Sequence, residues 1–214
     1  MKPLRLEIAA FGPFSDDVVV DFSEIEGSNL VLIHGPTGSG KTTLLDAICF
    51  ALFGDTSGAE REGKQMRCDN AALSHPTSVT YDFALGQRSF RVWRQPEQER
   101  ASKRGKGTTT ESHKATLWER TNASSAIDEG KVLASGASKV SKAVIELFGF
   151  ESEQFRQVVM LPQGKFRKLL TAESKDKEKI LQKLFQTSLY GRLERGLLEK
   201  AKQLKRRFED DAVS

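Results

Sequence analysis

Gly35-Pro36-Thr37-Gly38-Ser39-Gly40-Lys41-Thr42 is the stretch on which the reading of this chain turns. It fits the pattern G-x-x-x-x-G-K-[ST], and each fixed position has a chemical reason. Glycines let a backbone approach an anion closely and adopt the torsions that such an approach requires. The converging N–H groups of the loop, with the positive end of a following helix, suit phosphate oxygens. Lys41 adds a point charge for the β- and γ-phosphates of a nucleoside triphosphate, and the Thr42 hydroxyl can join a magnesium shell. A short pattern also arises by chance, in a glycine-rich strand–helix turn that binds nothing, so its neighbours decide. Before it, Asn29-Leu30-Val31-Leu32-Ile33-His34 is a continuous apolar run, expected as a strand buried on both faces of a largely parallel sheet. After it, the chain reads as a helix from about Lys41 to Phe53, stopped by Gly54-Asp55-Thr56-Ser57-Gly58. Strand, loop and helix together predict an α/β P-loop NTPase fold that binds ATP and Mg2+, with Gly35 through Thr42 as the cradle. His34, a lone histidine at a strand end, is expected to be structural.

Outward from this centre the pattern alternates. Leu4, Leu6 and Ile8 mark a half-buried strand, Phe11-Gly12-Pro13-Phe14 a turn, and Val18 to Phe22 the return strand. Residues 79–85 and 89–94 read as a hairpin through Gly86-Gln87. Residues 96–112 carry almost no apolar side chain and are expected as a mobile loop; residues 113–120 read as one more strand. From Lys139 to Phe148 the period becomes helical, with Val140, Val144, Ile145 and Phe148 on one face. Past Glu173, Ile180, Leu181, Leu184, Phe185, Leu189, Leu193, Leu197, Ala201, Leu204 and Phe208 recur at helical steps among charged residues. That predicts a long amphipathic helix, packed on its own domain or running into a coiled coil, with no stop signal before Ser214. Two segments follow: residues 1–170, a lobe of the ATPase head, and residues 171–214, the helical segment.

A P-loop ATPase also needs an acidic residue for magnesium and a group that orients the attacking water, usually at the end of another apolar strand. Val18-Val19-Val20-Asp21 comes nearest, but it precedes the loop and belongs to the first hairpin. Nor is there an LSGGQ-like signature; Leu133-Ala134-Ser135-Gly136-Ala137 imitates it poorly. The chain is read as a nucleotide cradle without its hydrolytic complement.

Longer blocks extend the argument. Gly35 to Ile48 with Ala51-Leu52-Phe53-Gly54, the segment Gln154 to Phe166, and the opening Leu6 to Phe14 together resemble the SbcC family, whose members are ATPase subunits of a DNA-end-processing nuclease. Residues 59–140 resemble it only in layout, as a strand-rich insertion. The resemblance implies a mixed-sheet amino-terminal lobe of an ABC-type, SMC-like head with an antiparallel insertion. It implies that coiled-coil arms follow, and that a carboxy-terminal half supplies the acidic and signature residues. It implies two heads closing around two ATP molecules, and an SbcD-like metal-dependent nuclease as partner. It extends the cradle to Thr43 and makes Gln163 the glutamine that reaches magnesium and the γ-phosphate, which otherwise reads as an ordinary polar turn residue. For Phe11 to Phe14 two readings stand: a place near the adenine, or a hydrophobic turn closing one edge of the core. Residues 188–211 would begin an arm that docks the nuclease, or a stripe used up by the returning arm.

Composition is compatible with all of this. The 214 residues are 38% hydrophobic and 29% charged, with a net charge of +4, which permits double-stranded DNA as a partner without requiring it. Arg100, Lys103, Arg104 and Lys106 could neutralise DNA phosphates, although Glu97, Glu99 and Glu111 dilute them. No apolar run approaches the roughly 20 residues of a membrane span, and the amino terminus lacks the apolar core of a signal peptide. Cys49 and Cys68 have no metal-ligand spacing and fit a reducing, cytoplasmic location, with Cys49 as plain core. An SMC-like tether and a transporter ATPase subunit share the cradle; the charged helix after Leu170 argues against the transporter.

Overall fold

The computed structural model describes residues 1–22, 31–56, 63–102, 107–121, 130–156, 194, 196–203 and 205. It divides into two compact units, Met1–Arg156 and Gln157–Ser214. In the first, the elements are β1 (Lys2–Ala9), β2 (Val18–Asp21), α1 (Lys41–Phe53), β3 (Ser78–Leu85), β4 (Arg88–Gln95), β5 (Gln98–Ala101), β6 (Thr108–Glu111), β7 (Lys114–Arg120), β8 (Lys131–Ser135), α2 (Ala137–Phe148) and α3 (Ser152–Phe155). In the second, residues 194, 196–203 and 205 are helical, and Leu197 and Leu198 are exposed. Among the described residues no helix is long and apolar enough to cross a membrane.

A six-stranded sheet in the order β2-β1-β3-β4-β7-β8 forms the frame, and β5-β6 is a separate two-stranded ribbon. Alternation in the sequence selects the core face. Leu6 and Ile8 of β1, Val79, Tyr81 and Phe83 of β3, Phe90 and Val92 of β4, and Ala115 and Leu117 of β7 are all buried. Register sets Phe83 opposite Phe90 and Tyr81 opposite Val92. Helix α1 packs on β3 and β4, and α2 on β7 and β8. An aromatic chain ties the layers: Phe83 lies 5.4 Å from Phe90 and from Phe148, Phe148 lies 5.8 Å from Phe155, and Phe155 lies 5.2 Å from Phe53. The fully buried rings Phe83, Phe90 and Phe155 each contribute about 1.5–3 kcal/mol by leaving water. On the other sheet face, Asp82 accepts two bonds of 2.7 Å from Arg91 and one of 2.8 Å from Arg120, all three being buried.

The first hairpin, α1, the β3–β4 hairpin, β7 and α2 form where the sequence places them. Three expectations fail. Residues 31–34 form no strand: Val31, Leu32 and Ile33 are 49%, 84% and 42% exposed, while residues 29 and 30 lie outside the described part. Every described sheet pairing is antiparallel, so among the described strands no parallel neighbour receives that run. His34 is exposed and lies outside any described strand, so the strand end on which its expectation rested is not there. The polar stretch 96–112 is not a loop throughout, because β5 and β6 pair across it. Gln98 explains why: its Oε1 accepts from the Thr77 amide (2.7 Å) and from Arg67 (2.9 Å), and its Nε2 donates to the Thr77 carbonyl (3.1 Å). A polar side chain thus anchors the ribbon where apolar ones are missing. Strand β8 is an addition to the expected elements, since its adjacent, exposed Val132 and Leu133 give no alternation in the sequence.

Candidate functional site

Between the described run at residues 31–34 and α1, the loop 35–40 turns on its glycines. Gly38 and Gly40 have φ of 87° and 86°, and Gly35 has φ of 156°. At Gly40 a side chain is excluded twice over, by this torsion and by Phe14, whose Cζ would lie 2.5 Å from an added Cβ. Lys41 opens α1 and folds back over the loop, its Nζ donating to the carbonyls of Gly35 (2.8 Å) and Pro36 (2.7 Å). An ammonium has three donors, so a phosphate oxygen can take the third. No side chain caps α1, and its first turn carries no acidic residue. The positive helix end is therefore presented to an anion without competition from a carboxylate. Thr42 is exposed beside Lys41, and Thr43 is buried.

These features fit a nucleoside triphosphate: glycines where backbone must approach, a cation at the mouth, and a hydroxyl at the helix start. They also fit magnesium, which uses few protein ligands and takes the rest from phosphate and water. Among the described residues no group of three or more His, Cys, Asp or Glu could hold a metal by itself. The structure brings together Gly35, Pro36, Thr37, Gly38, Ser39, Gly40, Lys41, Thr42 and Thr43 as one continuous loop and helix start. Gln163 lies outside the described residues, as do Lys103, Arg104 and Lys106. Arg100 sits 3.9 Å from Glu111, which also takes a 2.6 Å bond from Lys114.

Two supports of the loop are not apparent from the sequence. The first is the amino-terminal turn. Gly12 packs so closely on the first turn of α1 that an added Cβ would lie 2.6 Å from Thr43 Cγ2. The turn is held from behind by the Gly12 amide on the Met66 carbonyl (2.6 Å) and the Cys68 amide on the Ala10 carbonyl (2.9 Å). Phe11 is buried against Phe50 at 5.6 Å. The second support is a fully buried Arg94 at the far end of α1. Its position, two residues beyond Val92 on the core face of β4, is the available signal: a cation in line with Phe90 and Val92 needs a buried partner. Burial pulls Arg94 down to about 10, which leaves it a cation at neutral pH. The same burial, and then the Arg94 charge, hold His113 below the ordinary imidazole range. Cys49, a free thiol inside α1, is pushed up to about 12 by burial.

Comparison with known proteins agrees with this geometry. A family model described as AAA domain matches residues 5–211. The chain is 47% identical, over 98% of its length, to the SbcC subunit of nuclease SbcCD from Vibrio cholerae serotype O1, of which it covers 20%. It is 38% identical, over 98% of its length, to the SbcC subunit of nuclease SbcCD from Staphylococcus aureus strain Newman, again covering 20%. The chain thus spans about a fifth of the length of the curated relatives it matches. The resemblance to SbcC is borne out, with the match in the amino-terminal part of those proteins. A family model that spans nearly the whole chain, over a glycine-built loop that feeds a buried helix, leads to one conclusion: this chain belongs to the AAA-domain family of P-loop ATPases.

Proposed function

We propose that the chain is the ATP- and Mg2+-binding amino-terminal lobe of an SbcC-like ATPase head that regulates a DNA-end-processing nuclease. The observation that carries this is the loop 35–40, with Lys41 poised on the carbonyls of Gly35 and Pro36 at the uncapped start of α1. Gly35 to Thr43 would cradle the phosphates, Lys41 would neutralise charge between the β- and γ-phosphates, and Thr42 would bind magnesium with Gln163. ATP bound there supplies a phosphoanhydride bond for hydrolysis, and magnesium neutralises its charge. Lys41 and Gln163 are the proposed catalytic contributors of this lobe. The names of the relatives support an SbcD-like nuclease as partner, ahead of the SMC-like tether. Double-stranded DNA, a head-to-head homodimer on ATP binding and a cytoplasmic location belong to the same proposal.

Within it, residues 1–170 form the lobe, and residues 171–214 lead into a coiled-coil arm on which the nuclease docks. Exposed Leu197 supports that docking role; Leu193, Leu204 and Phe208 lie outside the described residues. The exposed run Val31 to Ile33 supports a carboxy-terminal half that packs against the lobe. Without that half, ATP turnover should be very slow, because no acidic strand end or signature motif is present in the sequence. Calorimetric titration with a non-hydrolysable ATP analogue tests the central claim. Lys41→Ala should lose most affinity, and Thr42→Ala should lose the magnesium-dependent part. Unchanged affinity in Lys41→Ala would sink the assignment.

A further inference from the structure

We propose that Arg94 is a positioning residue for nucleotide binding: it fixes the carboxy-terminal end of α1 and so sets where the phosphate loop sits. The inference rests on the reading of residues 35–43 as the phosphate cradle. An α-helix leaves its last four carbonyls without intrahelical donors. For α1 these are Phe50, Ala51, Leu52 and Phe53, and every one is engaged. The Gly54 amide donates to Phe50 (2.8 Å). Arg94 donates from Nε to Ala51 (2.9 Å) and from Nη2 to Leu52 (3.2 Å). Ser141 of α2 donates to Phe53 (3.0 Å) and accepts from Arg94 Nη2 (3.2 Å). The remaining Arg94 nitrogen, Nη1, lies 3.3 Å from His113 Nε2. Gly54 leaves no slack there, since an added Cβ would come within 3.0 Å of Nη1.

A buried guanidinium is an expensive way to end a helix, because a glycine cap and water normally suffice. Here it does what those cannot. Carbonyls at a helix end point along the axis, so bonds to them resist axial sliding. Arg94 stands on β4, in the middle of the six-stranded sheet, so the anchor is the rigid frame itself. A 13-residue helix is about 20 Å long and stiff, and any axial shift at Phe53 reaches Lys41 and Thr42 undiminished. At that end α1 meets close van der Waals walls, Phe14 on Gly40 and Gly12 on Thr43. The walls stop motion in one direction, and Arg94 stops it in the other.

The experiment compares Arg94→Lys with Arg91→Lys in the intact protein. Arg91 is a buried arginine of the same strand that bonds Asp82 on the opposite sheet face. Lysine keeps the charge at either position but lacks the planar fork whose separate nitrogens span several acceptors. Magnesium-ATP affinity is titrated with a fluorescent non-hydrolysable analogue, well below each variant's melting midpoint, with Lys41→Ala alongside. Arg94→Lys should bind on the order of tenfold more weakly, about 1.4 kcal/mol of lost phosphate contact at Lys41 and Thr42. Arg91→Lys should melt earlier yet bind like the wild type. Wild-type affinity in Arg94→Lys, or losses in both variants that merely track their melting points, would overturn the positioning role. Should Arg94→Lys fail to fold, Ser141→Ala decides: a roughly two- to threefold loss is expected for this milder version of the same displacement, and unchanged affinity refutes it. If Lys41→Ala binds normally, the phosphate-loop reading falls and takes this inference with it. Loss in Lys41→Ala beside normal binding in Arg94→Lys removes only the inference.

Discussion

Replacing Gly12 by alanine should damage the protein more than the same change at Gly86, although the two glycines share a backbone conformation. Their φ angles are 60° and 59°. For alanine this left-handed region costs about 1–2 kcal/mol at either site. At Gly86, in the turn between β3 and β4, an added Cβ meets nothing within 4 Å, so strain is the whole cost. At Gly12 the Cβ would stand 2.6 Å from Thr43 Cγ2, closer than carbon atoms tolerate. Overpacking of this kind adds about 1–3 kcal/mol. For a domain of this size the difference is a gap in melting midpoint of roughly 2–12 °C, read by thermal unfolding of the two variants side by side. Because the clash lands on the first turn of α1, Gly12→Ala should also weaken ATP binding several-fold while Gly86→Ala leaves it intact. Adding Thr43→Ser to Gly12→Ala removes the offending methyl and should recover most of the midpoint. Equal midpoints for the two alanine variants, or no recovery in the double variant, would refute the close packing of turn on helix.

Three more outcomes follow from buried groups. Asp82→Asn leaves Arg91 and Arg120 facing each other without their carboxylate, and should cost about 3–5 kcal/mol in chemical denaturation; a loss below about 1 kcal/mol would show that the cluster is solvated. Cys49, pushed up to about 12 by burial, should resist iodoacetamide at pH 8 in the native protein and react readily in denaturant, and rapid native alkylation contradicts the burial. His113 is held below its unfolded value of 6.5 by burial and by Arg94, so the unfolded chain binds the extra proton first. Its contribution to stability is complete above pH 6.5 and declines as pH falls through that value toward the lower folded one, with the midpoint dropping accordingly. His113→Gln should flatten this part of the pH profile, and an unchanged profile would rule the residue out as its source.

Much of the fold is legible in the sequence because its signals are local. Alternation in β1, β3, β4 and β7, the turn at Gly86, and the apolar helix between Lys41 and Gly54 each require only neighbours in the chain. The phosphate loop is legible for the same reason, since backbone approach needs glycines at fixed spacing. What escapes depends on contacts distant in sequence. Arg94 finds Ala51 and Leu52 of α1 and Ser141 of α2, and Gly12 finds Thr43 and Met66. The ribbon β5–β6 escapes because a glutamine holds it, and hydrophobic pattern is blind to a buried amide. At Asp82, Arg91 and Arg120 the two sheet faces differ in kind, apolar on one and ionic on the other, which a simple alternation of polar with apolar would place in water.

The failed strand at residues 31–34 carries the most information of all the discrepancies. Val31, Leu32 and Ile33 are apolar residue types that belong in a core. Among the described residues no strand pairs with the run, because the described sheet is antiparallel and the run is not among its strands. Full burial of an exposed aliphatic side chain contributes about 1.5–3 kcal/mol, and of these three Leu32, 84% exposed, has the most left to gain. In the function proposed above, this exposed run immediately before the phosphate loop is what the carboxy-terminal half would cover. The relatives are about five times longer than this chain, so each has ample sequence to supply the other half. If it does, assembly of the two halves orders the strand that leads into Gly35. The loop is then fixed from three directions: by that strand behind it, by Phe14 and Gly12 at its side, and by Arg94 through α1. Nucleotide affinity would therefore report on assembly of the head even though every phosphate-binding group proposed in this lobe except Gln163 lies between Gly35 and Thr43.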